Sequence, residues 1–194
     1  MKKDKGAEME GTGLFDNLEA KLESVDPKTL VLVFRKPEEE PLKKVRIVRH
    51  LLEPMGKDGV YVALNESSGY LHRLFTQGLT RPAKLSFIDF NPPAQRIPAG
   101  PQSTLYVSAK TNLTEFSILL NKAIESDSYH FLFLDSVMAL IMGKPPNEGE
   151  RFLKYLVEKI GLFELIGIFA VEPEFPSKIL IASANSKSMT VTEL

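Results

Sequence analysis

The sequence predicts an α/β domain of three layers, in which a mostly parallel central sheet lies between two layers of helices. Two observations support this prediction. Short apolar runs rich in β-branched residues alternate with amphipathic segments from residue 29 to residue 172, as expected for parallel strands joined by crossover helices. These runs contain few polar residues, which is typical of strands covered on both faces. The chain has 194 residues, 43% of them hydrophobic, which is enough for one domain with a full core.

The elements follow a charged N-terminal segment. Residues 1–12 are predicted to form a disordered tail, and residues 13–194 a single domain. Leu14, Leu18 and Leu22 recur every four residues, which predicts a short amphipathic helix. The predicted strands are residues 29–34, 59–65, 85–90, 104–109, 130–136, 165–172, 178–183 and 189–193.

Helices are predicted between most of these strands. After the first strand, Leu42, Val45, Val48 and Leu52 fall on one helical face. Asn112 begins a capping box with the glutamate three residues later, which predicts the start of another helix. The last two strands are predicted to form a hairpin at one edge of the sheet.

Composition and charge exclude several classes of protein. The chain has 24 basic and 25 acidic residues and no cysteine, so thiolate catalysis, disulfides and cysteine-bound metals are excluded. His50, His72 and His130 are far apart and lack partners at metal spacing. No apolar run is long enough to span a bilayer, and the first residues do not resemble a secretory signal. We therefore expect a cytoplasmic protein without a membrane partner.

Three segments together resemble KaiC-like members of the RecA superfamily, and in particular the short archaeal proteins of this kind that are assigned to signal transduction. HFLFLDS (130–136) resembles a Walker B strand that ends in an aspartate. GVYVALNESS (59–68) resembles the strand that carries acidic residues and a serine in that family. The third segment runs from residue 112 to residue 172 and resembles the later half of the same domain. The resemblance implies a RecA-like three-layer domain that binds ATP and magnesium.

The phosphate-binding loop expected from this resemblance is missing. Its pattern is G-x-x-x-x-G-K-[ST], in which glycines let backbone N–H groups surround the phosphates. The corresponding segment, RKPEEEPLKKV (35–45), has no glycine, and Pro37 and Pro41 remove two N–H donors. Glu38, Glu39 and Glu40 would repel a triphosphate. These residues therefore indicate a degenerate Walker A position, although they also suit a well-capped helix start.

The resemblance assigns a role to each candidate site residue. Asp135 corresponds to the aspartate of the magnesium shell, and Glu66 to the acid that polarises the attacking water. The structural alternatives are a helix cap for Asp135, alone or shared with Ser136, and a solvated side chain beside a serine cap for Glu66. Asp89 ends the third strand at the edge where open α/β sheets bind ligands, although a structural role is favoured. The strand predicted over residues 165–172 ends in Ala170, Val171 and Glu172, where the resemblance implies a polar Ser, Thr or Gln that senses the γ-phosphate, so this position is a second departure from the family pattern.

The basic residues of the helix that follows the first strand allow two interpretations. The helix carries Lys43, Lys44, Arg46 and Arg49. No aromatic residues are interleaved with them, so a solvated face is favoured over a nucleic-acid site.

Two functional hypotheses remain from the sequence. The first is a non-catalytic KaiC/RecA-like domain without a cofactor, which acts as a regulatory or assembly module through a protein partner or self-association. In this hypothesis the chain is not an enzyme. The alternative is an ATPase that binds nucleotide and magnesium at an atypical site, with Lys36, Lys43 or Lys44 reaching the phosphates and Glu66 and Asp135 in the roles given above. Nucleic-acid binding is a weaker third possibility.

Overall fold

The computed structural model describes residues 12–34, 40–80, 82, 84–91, 104–108, 112–125, 128–176, 178–186 and 189–193. The predicted tail lies outside these residues except for Thr12, which begins the first helix. The helices are α1 (Thr12–Glu23), α2 (Glu40–Leu52), α3 (Ser68–Thr76), α4 (Leu113–Glu125), α5 (Val137–Ile141), α6 (Pro146–Leu162) and α7 (Lys178–Ser186). The strands are β1 (Thr29–Phe34), β2 (Gly59–Ala63), β3 (Leu85–Asp89), β4 (Thr104–Tyr106), β5 (Phe131–Leu134), β6 (Ile166–Val171) and β7 (Thr190–Glu193).

A seven-stranded sheet in the order β4-β3-β2-β5-β6-β1-β7 forms the middle layer. Every strand pairing in the described part of the chain is parallel. The predicted α/β class with a largely parallel sheet is therefore confirmed. No described helix has the length and apolar character needed to cross a membrane.

The sheet separates two hydrophobic cores, which explains the unbroken apolar runs. Successive side chains of a strand point to opposite faces. Leu30 and Leu32 belong to the core shared with α4, α6 and α7. Val31 and Val33 belong to the opposite core, which contains apolar side chains of α1, α2 and α3. Both faces of β1 are thus buried, and a polar residue at either set of positions would be desolvated.

The predicted C-terminal hairpin is wrong. Residues 178–183 lie in α7 rather than in a strand, and β7 pairs in parallel with β1, with Leu30 opposite Val191. The apolar run KILI is typical of a strand, but Leu180 and Ala184 are both fully buried one helical turn apart. The helical face that they form packs into the core with α6, and this packing outweighs the strand-like composition.

The carboxyl ends of four central strands meet at one edge of the sheet. The register places Val62 opposite Leu134, Leu134 opposite Phe169, and Phe34 opposite Val171. The residues that follow β1, β2, β5 and β6 therefore converge, and this edge is where open parallel sheets bind ligands.

Candidate functional site

Asp135 lies at the centre of the carboxyl edge, directly after β5. Its side chain is buried, with 2% of the residue exposed. The carboxylate accepts hydrogen bonds from the backbone N–H groups of Leu64 (3.2 Å) and Asn65 (3.5 Å) and from the Asn65 side-chain amide (3.4 Å). Asp135 therefore holds the loop after β2 in place and does not cap the helix that follows it, contrary to the structural alternative considered from the sequence.

Lys44 and Glu66 form an ion pair beside this aspartate. The ammonium of Lys44 donates to the Glu66 carboxylate, and Lys44 is 8% exposed. Lys44 is four residues before the fully buried Val48 on α2, so both lie on the inner face of the helix. The interpretation of Lys44 as part of a solvated basic face is therefore wrong, because amphipathic packing turns it inwards. Glu66 is also not a freely solvated glutamate.

Electrostatic interactions link these three residues. Burial raises the pKa of Asp135 to about 7, and the negative charge of Glu66 acts in the same direction. The hydrogen bonds from Leu64 and Asn65 and the positive charge of Lys44 act in the opposite direction. A single ammonium thus faces two carboxyl groups, and the more deeply buried carboxyl is partly protonated near neutral pH.

Asp89 stabilises the start of α3 from the end of β3. It is fully buried and accepts hydrogen bonds from the backbone N–H groups of Ser68 (2.7 Å) and Asn91 (2.7 Å). The side chain of Asn91 donates in turn to the carbonyl of Glu66 (3.4 Å). The contacts of Asp89 are those of the structural role that the sequence favoured, and they fix the backbone that carries Glu66.

Glu172 lies at the expected sensor position and binds the start of α5. Its carboxylate accepts a hydrogen bond from the Ser136 hydroxyl (2.5 Å) and another from the Met138 backbone N–H (3.1 Å). Ser136 is the N-cap residue of α5 and accepts from the Ala139 N–H (2.9 Å). The capping role considered for Asp135 is therefore filled by Ser136, with Glu172 supporting it.

The remaining cationic candidates differ in their surroundings. Lys36, like all of residues 35–39, lies outside the described residues. Lys43 is partly buried. Arg46 pairs with Glu19 of α1 at 2.8 Å. The Arg46 side chain is 38% exposed, which agrees with the predicted solvated face, and its charge is matched by an acid on the neighbouring helix.

The chemical capacity of the described site is limited by its internal pairing. Among the residues that the structure describes, no group of three or more His, Asp or Glu side chains is arranged to hold a metal ion. A carboxylate that polarises water must be free to accept a proton, whereas Glu66 is bound to Lys44.

Sequence reasoning missed the Lys44–Glu66 pair, the contacts of Asn65 and the contact between Glu172 and Ser136. The i, i+4 relation between Lys44 and Val48 was the available signal for the first. Nothing in the local sequence indicates the other two, because each joins residues on different elements.

No family model matches the sequence, and no curated protein matches it. Among solved structures, the chain resembles the crystal structure of a KaiC-like protein from the hyperthermophilic archaeon Pyrococcus horikoshii, with a TM-score of 0.53 and 16% sequence identity. The match covers 75% of this chain and 62% of that structure. This likeness confirms the expected KaiC-like, RecA-like three-layer fold.

Proposed function

We propose that the chain is a non-catalytic KaiC/RecA-like domain of archaeal type that acts as a cytoplasmic regulatory or assembly module in signal transduction. In this proposal the Walker A position is degenerate and the domain needs no nucleotide cofactor. It acts through protein contacts, either with a partner or with further copies of itself.

The ion pair between Lys44 and Glu66 carries this proposal. Lys44 was a candidate phosphate ligand, and Glu66 was the candidate catalytic acid. In the structure the ammonium of Lys44 and the carboxylate of Glu66 are bound to each other. Breaking a fully buried pair costs about 3–5 kcal/mol, and this pair should cost less, about 2 kcal/mol, because Glu66 is one-third exposed. A micromolar affinity corresponds to about 8 kcal/mol. A triphosphate that recruited Lys44 would therefore lose roughly a quarter of its binding energy.

The sequence of the missing phosphate loop supports the same conclusion. Residues 35–45 contain three consecutive glutamates and no glycine. A backbone without glycine is poorly suited to the close curvature that surrounds phosphates. The glutamate charges add repulsion of about 1 kcal/mol per contact at 4 Å in water.

Exposed apolar side chains on three helical segments support a role in protein contacts. They are Ile118 on α4 (62% exposed), Leu162 at the end of α6 (65%) and Met142 directly after α5 (75%). A groove of about 620 Å³ lies between α4 and the first half of α6, with Phe152 and Tyr155 in its lining. Apolar and aromatic side chains at the surface are typical of interaction sites.

The alternative function is an atypical ATPase, and one observation favours it. Lys44, Glu66 and Asp135 do converge at the carboxyl edge of the sheet. In that case the ion pair would have to open when nucleotide binds, and Asp135 would have to carry the magnesium.

Calorimetric titration with MgATP and then MgADP distinguishes the two functions. We expect no saturable heat with the full chain or with the variant Lys44→Met. Micromolar binding that Lys44→Met abolishes, and that Lys154→Met does not affect, would overturn the proposal. Lys154 is a suitable control because it forms an exposed ion pair with Glu150 at 2.6 Å, far along the chain on α6.

A further inference from the structure

The N-terminal helix α1 is held on α2 by a matched set of contacts. Leu18 and Leu22 are buried in the core that also contains Ile47 and Leu51 of α2. Beside this apolar strip, the Glu19 carboxylate accepts from Arg46 at 2.8 Å and 3.3 Å. Glu23, one turn further along α1, places a carboxylate oxygen 3.3 Å from Nε2 of the buried His50, one turn further along α2. The two helices thus meet through apolar residues and a row of acids opposite a row of bases.

A short and strained connection joins α1 to β1. Only residues 24–28 (SVDPK) separate the two elements. Pro27 restricts both its own backbone and that of Asp26. Lys28 has φ +63°, a left-handed conformation that is unfavourable for any residue with a Cβ. Strain in a short hinge favours exchange of the attached element between copies of a chain.

The strained residue is held by contacts with the turn before β6. The backbone N–H of Lys28 donates to the carbonyl of Leu165 at 2.9 Å. Its ammonium pairs with Glu164 at 2.7 Å. Glu164 also has a positive φ, of 55°, but it lies outside the hinge. Lys28 and Glu164 therefore both have left-handed backbones and form one ion pair. Of the two, only Lys28 belongs to the connection between α1 and β1.

We propose that α1 exchanges between two copies of the chain, so that the α1 of each copy packs on the α2 of the other. The exchanged contacts are the same as those within one chain, and the two-fold arrangement closes on itself. Opening the hinge releases the left-handed conformation of Lys28 in both copies. This inference rests on the interaction role proposed above and names its partner as a second copy of this chain.

The hinge also sets the expected affinity. The short connection gives α1 an effective concentration in the millimolar range with respect to the α2 of its own chain. Without strain in the hinge, a second copy would compete with this contact only at millimolar protein concentrations. Release of two left-handed residues per dimer strengthens association on the order of 100-fold. The dissociation constant of the exchanged dimer is then expected to be roughly 10 µM.

Mixed crosslinking tests the exchange directly, because the chain has no cysteine of its own. The variants Glu19→Cys and Arg46→Cys are unfolded, mixed, refolded together and treated with a short bismaleimide. We expect a covalent dimer that contains one chain of each variant. A mixture of Glu150→Cys and Lys154→Cys, two partners on the same surface of α6, measures random collision. A yield no higher than in this control, while the double variant Glu19→Cys/Arg46→Cys crosslinks within one chain, would overturn the proposal.

A second experiment tests the role of the hinge. Sedimentation equilibrium should show that Lys28→Gly weakens the dimer on the order of 100-fold, because glycine adopts the left-handed conformation without strain. Glu164→Gly removes the same ion pair and relieves a left-handed residue outside the hinge, so its dimer should match that of the parent protein. Equal weakening by both variants, or a parent protein that stays monomeric at about 100 µM, would refute exchange. Neither result bears on nucleotide binding, which the calorimetric titration tests separately.

Discussion

The variant Asp135→Asn should be more stable than the parent protein at pH 8, and more stable by a much smaller margin at pH 5. Asp135 is 2% exposed, and burial raises its pKa from 3.8 to about 7. Between these two values, the unfolded chain has released a proton that the folded chain still holds. The free energy of unfolding of the parent protein therefore falls as the pH rises through this interval, and the loss remains at higher pH. Asparagine has no such proton to release.

The size of the effect follows from the same interval. One pH unit corresponds to about 1.4 kcal/mol for a proton held only by the folded state. From pH 5 to pH 8 the difference between variant and parent should therefore change by about 3 kcal/mol in favour of asparagine. At pH 5 both side chains are neutral in the folded state and similar in shape, but the unfolded parent chain is already ionised because this pH lies above 3.8. Asparagine should therefore already be favoured by about 1.6 kcal/mol at pH 5. Small differences in the hydrogen bonds to Leu64 and Asn65 should change this value by at most about 1 kcal/mol.

Urea denaturation at several values between about pH 5 and pH 8 measures this difference. Glu174→Gln, at an exposed position, is the control, and its difference from the parent protein should not vary over this range. A constant difference for Asp135→Asn, or a variant that becomes relatively less stable as the pH rises, would refute the reasoning. A constant difference would mean that the carboxyl group is already ionised in the folded protein at pH 5.

Two further predictions concern packing and charge. Glu66→Gln leaves the buried ammonium of Lys44 without its carboxylate, and we expect the free energy of unfolding to fall by about 2 kcal/mol. This loss is smaller than for a fully buried ion pair because Glu66 is one-third exposed. The double variant Lys44→Met/Glu66→Leu should recover at least half of that loss in urea denaturation; a double variant as unstable as Glu66→Gln would contradict this account. Gly167→Ala places a Cβ against the side chain of Ile160 and should destabilise the protein by about 1–3 kcal/mol. The control is Gly69→Ala, where a Cβ would meet open space and the change should be neutral or stabilising by up to about 1 kcal/mol. Similar melting temperatures for the two alanine variants would argue against close contact between α6 and β6.

Most of the fold could be predicted because each central strand is buried on both faces. Leu30 and Val31 point to opposite cores and are both fully buried, so the run that contains them is apolar throughout. The start of α4 was also predictable, since the side chain of Asn112 accepts from the Glu115 backbone N–H at 2.8 Å in the way that the capping box requires. Local signals are sufficient when the stabilising contact is itself local.

The errors arise where contacts between distant segments decide the structure. Residues 178–183 have a strand-like composition, and only packing against α6 shows that they are helical. The candidate site is similar. Lys44 and Glu66 are 22 residues apart, and Asn65 and Asp135 are 70 residues apart. The sequence supplied the residue types at the carboxyl edge, but not which of them would pair with each other.

The position of β1 in the sheet has a consequence during synthesis of the protein. This early strand is flanked by β6 and β7, both of which come from the last third of the chain. At about 5–20 residues per second, a ribosome needs roughly 10–30 s after Phe34 to complete β7. During that time TLVLVF, an uncharged and strongly apolar segment, has neither neighbour and is prone to aggregate. The nascent chain should therefore depend on a chaperone, or complete its sheet only once β7 has been made, to a greater degree than a domain whose first strand pairs with its second.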